Sequence, residues 1–278
     1  MESFYLYRKA WRFDGAPHEE PKLNKGEWKS LLKQGGVMVR NTYDFDCPRE
    51  TKFWNLIKDR FGGLEELSGN TRSRVRKSLE NLEFNLVDFS LVQASGYPIL
   101  KATFDDYAVV DRPMNQQVFE AYLKHCQSKD YEYWGVFDRN TRKFIGFCAN
   151  RLWPEAVEYG VIGILPEYKH NGTFPYYGLF HSMNQYYLEE KRLRYITDGS
   201  RSITHHSNIQ EFLIEKFNFR KSYCELKVYY KWWMRAAVKV LYPFRKIIPI
   251  PQVKAILNME SMTKKSRHFL TEITYSKN

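Results

Sequence analysis

The chain has no apolar run near the ~18 residues that a bilayer-spanning helix needs. Its opening, MESFYLYRKAWRF, has none of the apolar core of a secretory leader. These absences argue against an integral membrane protein and against export. Cysteine is scarce: Cys47, Cys126, Cys148 and Cys224 lie far apart and make no CxxC pair. That argues against a disulfide scaffold and reads as reduced thiols in a cytoplasmic protein. No internal repeat, low-complexity tract or Gly-x-Ser-x-Gly elbow is present, so a solenoid and an elbow-type serine hydrolase drop out. His205 and His206 are adjacent but have no third His, Cys or carboxylate at ligand spacing, and no metal site is expected.

What is present is a large apolar fraction and an excess of positive charge. Of 278 residues, 43% are hydrophobic and 17% aromatic, which suffices for a substantial core. The net charge of +11 favours anionic partners: phosphates, nucleic acid or an anionic membrane face. Much of it sits in two clusters. In TRSRVRKSL, Arg72, Arg74, Arg76 and Lys77 accompany Val75, Leu79 and Leu82 at helical spacing, so a helix over 64–82 has one basic and one apolar face. Ser68 or Thr71 is placed to cap its start. This face is either merely solvated or contacts an anion, with Arg72 and Arg76 as substrate-binding candidates. The second cluster, WWMRAAVKVLYPFRKIIPIPQVKAIL, carries Arg235, Lys239, Arg245, Lys246 and Lys254 among aromatics and aliphatics, broken by Pro243, Pro249 and Pro251. Such a tail either packs on its own domain or lies on an anionic bilayer.

The remaining pattern mixes strands and helices, which predicts an α+β or mixed α/β fold. Residues 1–60 read as strand-rich, with GAPHEEPKLNKG as a polar loop. EFNLVDFSLV reads as a strand and LKATFDDYAVV as a further extended piece; 114–128 has helical periodicity. YEYWGVFD and FIGFCANRLW form a hairpin, VEYGVIGIL one long strand, 175–191 a helix, RYITDG a strand, 207–217 a helix, and SYCELKVYYKWW a closing strand. Three regions are expected: 1–110, 111–231, and a basic helical tail over 232–278.

The chemistry concentrates in 157–220. A strand ending near Pro166 enters the loop PEYKHNGTF and then a helix from Pro175. A Gly-bearing loop at a helix start offers unpaired N–H groups at the positive end of the dipole, which suits a phosphate. Proline fits the first turn because its missing N–H costs nothing there. Asp198, after RYIT, falls at the carboxyl end of a strand and is the better candidate for binding or deprotonating an amine; Glu158 on the preceding strand is the second. Tyr229 or Tyr230, with Tyr230 preferred, is placed to protonate a leaving group. Arg201, His205 and His206 are candidates for binding an anionic acceptor.

The order of these segments over 115–231 resembles the GNAT superfamily of acyl-CoA-dependent N-acyltransferases. The hairpin 134–148, the donor strand 157–165, the loop Lys169-His170-Asn171-Gly172-Thr173-Phe174 and the Asn-led helix 208–217 stand where the family has its hairpin, donor strand, pyrophosphate loop and Asn-led helix. Phe174 occupies the place of the loop's second small residue, and Asn218-Phe219 stands in place of Gly-Phe. The resemblance implies a central twisted mixed sheet flanked by helices, with a strand-rich extension before it. It also implies acetyl-CoA or another acyl-CoA as donor, held by Ile164, Leu165, Lys169, Asn171, Gly172, Thr173 and Asn208. Looser similarity joins 53–86 to the Fem-type aminoacyltransferase branch, whose polar-x-Arg-x-x-x-Arg-Lys character matches Asn70, Arg72, Arg76 and Lys77. Members of that branch take aminoacyl-tRNA as donor and usually have two GNAT-like halves, for which this chain reads as too short.

Three expectations follow. The first is an N-acyltransferase moving an acyl group from acyl-CoA to an amine, such as an amino sugar on a lipid carrier or another cell-envelope precursor. The second is a Fem-like enzyme using aminoacyl-tRNA. The third is a non-catalytic binding module on a decayed transferase fold. The protein is expected in the cytoplasm, with peripheral contact at the inner membrane face as the alternative to a tail packed on its own domain.

Overall fold

A computed structural model describes residues 4–106, 114–202 and 208–263. The chain divides into two compact units, and unit 1 contains both chain ends: Met1–Leu56, Ser200–Ser207 and Lys221–Asn278. Unit 2 consists of Ile57–Gly199 and Asn208–Arg220.

In unit 1, β1 (Phe4–Tyr7) and β2 (Ala10–Phe13) form an antiparallel hairpin. Its two turn residues, Arg8 and Lys9, both have positive φ, which matches the turn twist to that of the strands. β2 runs parallel to β3 (Met38–Tyr43), and parallel neighbours need a crossover. The crossover is α1 (Lys25–Gln34), a helix in a stretch read from sequence without one. Its signal is local: Asn24 accepts from the amides of Gly26 and Glu27, while the Glu27 carboxylate accepts from the Asn24 amide. Leu31 and Leu32 then bury the helix against Val39. β3 pairs antiparallel with β11 (Arg220–Tyr230), with Tyr43 opposite Glu225 and Met38 opposite Tyr230. β4 (Phe53–Lys58) starts in this unit, which ends at Leu56. The tail forms α8 (Trp232–Leu241), a short 3-10 turn and α9 (Pro251–Met262). Met259 joins Ala10, Met38, Phe53, Cys224 and Leu226 in the core.

Unit 2 begins with α2 (Gly69–Asn81), capped by Ser68 on the Thr71 amide, and β5 (Leu82–Val87). α3 (Phe89–Asp105) corrects the strand reading of 83–92 over its last four residues, 89–92, and the extended reading of 100–110 over the described residues. Val92, Gly96, Ile99, Leu100 and Thr103 are buried at intervals of three and four, so one helical face meets the core and outweighs the local β-favouring composition. α4 (Gln116–Gln127) and the strands β6 (Tyr131–Asp138) and β7 (Phe144–Leu152) follow as expected.

The segment read as one long strand is broken into β8 (Ala156–Glu158) and β9 (Ile162–Ile164), both antiparallel to β7. Gly160 makes the break possible: a Cβ there would lie 2.1 Å from the Ala149 carbonyl oxygen. α5 (Pro166–His170), α6 (Pro175–Gln185) with a π turn at Tyr186–Glu190, β10 (Tyr195–Ser200) and α7 (Asn208–Phe217) complete the unit. The sheet order is β10-β8-β7-β6-β5, and β10 pairs parallel with β8. The core under the sheet holds Val92, Leu100, Phe119, Leu123 and Phe147. The fold is mixed α/β.

Candidate active site

At the parallel junction of β8 and β10 two carboxylates come near enough for one charge to act on the other. Thr197 is opposite Glu158, and Asp198 is the next residue along. The pairing ends at Thr197, and the chain turns through Gly199 at φ +78°. A Cβ on Gly199 would lie 3.1 Å from Glu158 Oε1, so the absence of a side chain leaves room for that carboxylate. Asp198 is half-buried. Loss of water around it, and then the negative charge of Glu158, push its carboxyl up to about 7; a Gln210 side-chain hydrogen bond opposes the rise. A carboxyl poised there exchanges a proton near neutral pH.

Beneath the junction lies a buried polar network. Tyr159 donates from its hydroxyl to Asn184 Oδ1 at 2.8 Å, tying the strand break to α6. Asn150 Nδ2 donates to the Tyr187 hydroxyl at 3.2 Å, and Trp134 Nε1 donates to the same oxygen at 3.0 Å. The Gly160 amide donates to Asn150 Oδ1 at 3.4 Å. These groups fix β7, the break and α6 relative to one another. Among the strongest influences on Tyr159 after burial are Tyr187, Cys148 and Asp198, which places the aspartate's charge close to the network.

The loop before α6 is held mostly by its own neighbours. Asn171 Oδ1 accepts the Thr173 amide at 3.0 Å and the Thr173 hydroxyl at 2.7 Å, and Lys169 Nζ pairs with Asp106 at 3.0 Å. Gly172 and Phe174 both have positive φ, +80° and +54°. The Phe174 ring lies under the Arg74 guanidinium at 5.1 Å and the Lys77 ammonium at 5.8 Å, and edge-on to Tyr177. Arg74 donates to the Tyr177 hydroxyl at 2.7 Å. The basic face of α2 is therefore brought to the start of α6, with an aromatic ring between them.

The open edge of β9 is also engaged. The Ile164 amide donates to Thr103 Oγ1 at 2.9 Å, and the single proton of that hydroxyl lies within reach of the Ile164 carbonyl at 2.9 Å and of Ile99 at 2.8 Å. The Leu165 amide donates to the Ile145 carbonyl.

No family model matches the sequence, and no curated protein matches it. Solved structures do match in fold. FemX superposes with a TM-score of 0.55 at 10% identity, over 86% of this chain and 85% of its own. L-PGS from Bacillus licheniformis superposes with a TM-score of 0.50 at 10% identity, over 94% of this chain and 85% of its own. The chain has the acyl-CoA N-acyltransferase-like fold. A GNAT family acetyltransferase from Staphylococcus aureus aligns over 42% of the chain with a TM-score of 0.31. The FemX alignment spans most of both chains.

The predicted site residues fall into separate groups within this fold. Glu158 and Asp198 are brought together. Ile164, Leu165, Lys169, Asn171 and Thr173 each have a polar group that meets a protein partner. Arg72 turns to Glu65 at 3.4 Å and the Leu67 carbonyl at 3.2 Å, whereas Arg76 lies on the exposed face of α2. In unit 1, Arg201 donates to the Lys52 carbonyl at 2.8 Å and lies over Trp54. Tyr230 donates to Glu260 at 3.0 Å; burial and that carboxylate hold its hydroxyl well above its ordinary value, so it is a poor proton donor where it stands. His205, His206 and the Asn208 side chain lie outside the described residues. Among the described residues no group of three His, Cys, Asp or Glu is placed to hold a metal ion, and the four cysteines are free and buried.

Sequence reasoning missed Asn150, Tyr159, Asn184, Tyr187, Gln210 and Thr103. Tyr159, Asn184, Tyr187 and Gln210 lay within the stretch 157–220 already singled out, whereas Asn150 and Thr103 lay outside it. Phe174 and Asn218 carry a clearer lesson. Both stand where small or glycine residues were expected, and both take the left-handed backbone such residues favour, at φ +54° and +56°.

Proposed function

We propose that the protein transfers an acyl group from an activated carrier to an amine, with Asp198 taking the amine's proton. The observation that carries this reading is the Asp198 carboxyl near neutrality beside Glu158. An ammonium acceptor is attracted by the pair and gives a proton to Asp198. Its nitrogen then attacks the donor carbonyl and forms a C–N bond with a tetrahedral oxyanion. Collapse breaks the bond to the carrier: the proton held by Asp198 goes to the departing oxygen or sulfur, and the excess proton on the new amide nitrogen passes to solvent. The negative charge of Glu158 adds to burial in favouring proton uptake by Asp198.

An aminoacyl ester on tRNA is the donor that the remaining observations favour. The loop and the β9 edge, where a CoA thioester would be held, are closed by Asn171, Phe174 and Thr103. Likenesses that span both units include those to FemX and L-PGS, and Fem-type enzymes draw on aminoacyl-tRNA. The net charge of +11 suits a polyanionic carrier. A second reading keeps acyl-CoA as donor. It is favoured by the left-handed backbone at Gly172 and Phe174, which preserves the geometry of a loop designed around small residues. In both readings the acceptor is an amine on a small molecule or a lipid-linked envelope precursor.

The deciding experiment offers both donors with a panel of amino sugars. The favoured reading expects charged tRNA to bind with steep salt dependence and to acylate an amine, while CoA at millimolar concentration leaves the melting temperature unchanged. A CoA-induced shift with salt-insensitive tRNA binding reverses the choice. No transfer from either donor, with Asp198→Asn binding its ligands unchanged, leaves the binding-module reading in its place.

A further inference from the structure

We propose that residues 232–250 form a docking surface for an anionic lipid bilayer. α8 is apolar on two sides. Its inner side is buried through Val238. On the outer side Trp232 is 82% exposed and Val240 66%, and beyond the helix Ile247 is 76% exposed. Large apolar side chains are rarely left so open in a cluster without a partner. At 100° per residue, Trp232, Ala236 and Val240 line one outward stripe, while Arg235 and Lys239 border its edge. Phe244 and Ile250 continue the exposed apolar row past the helix, with Lys246 exposed among them.

The charge selects the occupant. From Lys227 to Met259 the sequence has seven Lys or Arg and no Asp or Glu. A second copy of the chain would have to present this same cationic patch to itself across a two-fold axis, setting like charges together. A nucleic acid would satisfy the cations but has nothing to offer Val240, Ile247 and Ile250. An anionic bilayer supplies both partners: headgroup phosphates for the cations and an apolar layer beneath them for the aliphatics, with indole rings at the level between. No helix among the described residues is long and apolar enough to cross a membrane, so the contact is a surface one. The surface rests on no step of the transfer reading, and vesicle binding is measured without donor or acceptor.

The test is flotation of the whole chain with phosphatidylcholine vesicles, with and without one-third phosphatidylglycerol. Binding to the anionic vesicles, weak binding to the neutral ones, and a decline as salt rises are expected. Trp232→Ser with Ile247→Ser, and separately Lys239→Glu with Lys246→Glu, should each lower binding by at least about tenfold. All four residues are exposed, so the melting temperature should not move. Three outcomes overturn the proposal: no binding of the full chain to anionic vesicles, variants that bind as well as the parent, or a dimer in solution that the same substitutions dissociate. Loss of tRNA binding in place of vesicle binding would assign the patch to nucleic acid and equally overturn it.

Discussion

The loop from Lys169 to Phe174 and the strand junction at Glu158 and Asp198 lie in the same unit and were marked by the same stretch of sequence, yet the structure treats them oppositely. In the loop most of the named polar groups have a protein partner: Lys169 pairs with Asp106, Asn171 holds Thr173, and the Phe174 ring shields Arg74 and Lys77. At the junction two carboxylates share a poorly solvated corner, and one is driven up to about 7. Satisfied groups have no further interaction to offer a ligand without first losing one. The stressed carboxylate has, and perturbed groups of that kind concentrate where chemistry occurs.

The largest effect that would break this comparison is at Asp198. Asp198→Asn should lower the transfer rate by about 10²- to 10⁴-fold, the range for a lost general base, with donor binding retained; an unchanged rate removes Asp198 from the reaction. The same variant has a pH signature. Because the folded carboxyl titrates near 7 instead of near 4, the folded state holds the proton more tightly. Stability is therefore highest at acid pH on this account and falls as pH rises through roughly 4 to 7. His181 acts in the opposite sense. Burial and Lys58 push its imidazole down to about 4, so its contribution is lost as pH falls from about 6.5 toward 4. Denaturant titrations across pH should show Asp198→Asn losing the neutral limb while the acid limb remains, with a gain on the order of 2–3 kcal/mol at pH 8. Parallel curves for the two proteins would contradict the raised carboxyl.

Thr103→Val is the next largest and probes the closed side. It leaves the buried Ile164 amide without its acceptor, which costs about 1–3 kcal/mol. Chemical unfolding measures this, and a loss below about 0.5 kcal/mol would mean that water replaces the hydroxyl. Gly199→Ala sharpens the junction: a positive φ and a Cβ 3.1 Å from Glu158 Oε1 should cost about 1–2 kcal/mol. It should also displace the Glu158 carboxylate, read as a shift in the pH–rate profile; an unshifted profile would detach Glu158 from the titration. Smallest in stability is Phe174→Gly. Relief of left-handed strain, about 1 kcal/mol, offsets lost packing on Arg74 and Tyr177, leaving a net change within about 1 kcal/mol. Its value lies in binding: if the ring alone closes the loop, CoA should begin to raise the melting temperature, and no response places the closure in Thr103 and Asn171 as well.

Legibility in the sequence was uneven for physical reasons. The hairpin β6–β7, β10, α7 and β11 were readable because each carries one strong period bounded by turn residues. α3 was misread because its composition favours strands, and its helical burial became apparent only against Phe119 and Phe147. α1 was missed although Asn24 and Glu27 spell a capping box. The break between β8 and β9 depends on how closely Gly160 approaches the Ala149 carbonyl, a distance that no local pattern records.

By itself the sequence determined the mixed α/β class, the order of most elements over 157–220, the amphipathic basic face of α2 and the candidacy of Asp198. Composition, periodicity and charge order are properties of the chain, and they survive without coordinates. Only the tertiary structure shows which polar groups of the loop meet protein partners and that burial raises the Asp198 carboxyl. Whether a polar group is satisfied depends on partners far away in sequence: Thr103 for Ile164, Asp106 for Lys169, Arg74 and Lys77 for Phe174. Burial, which raises Asp198, is likewise set by what packs around it.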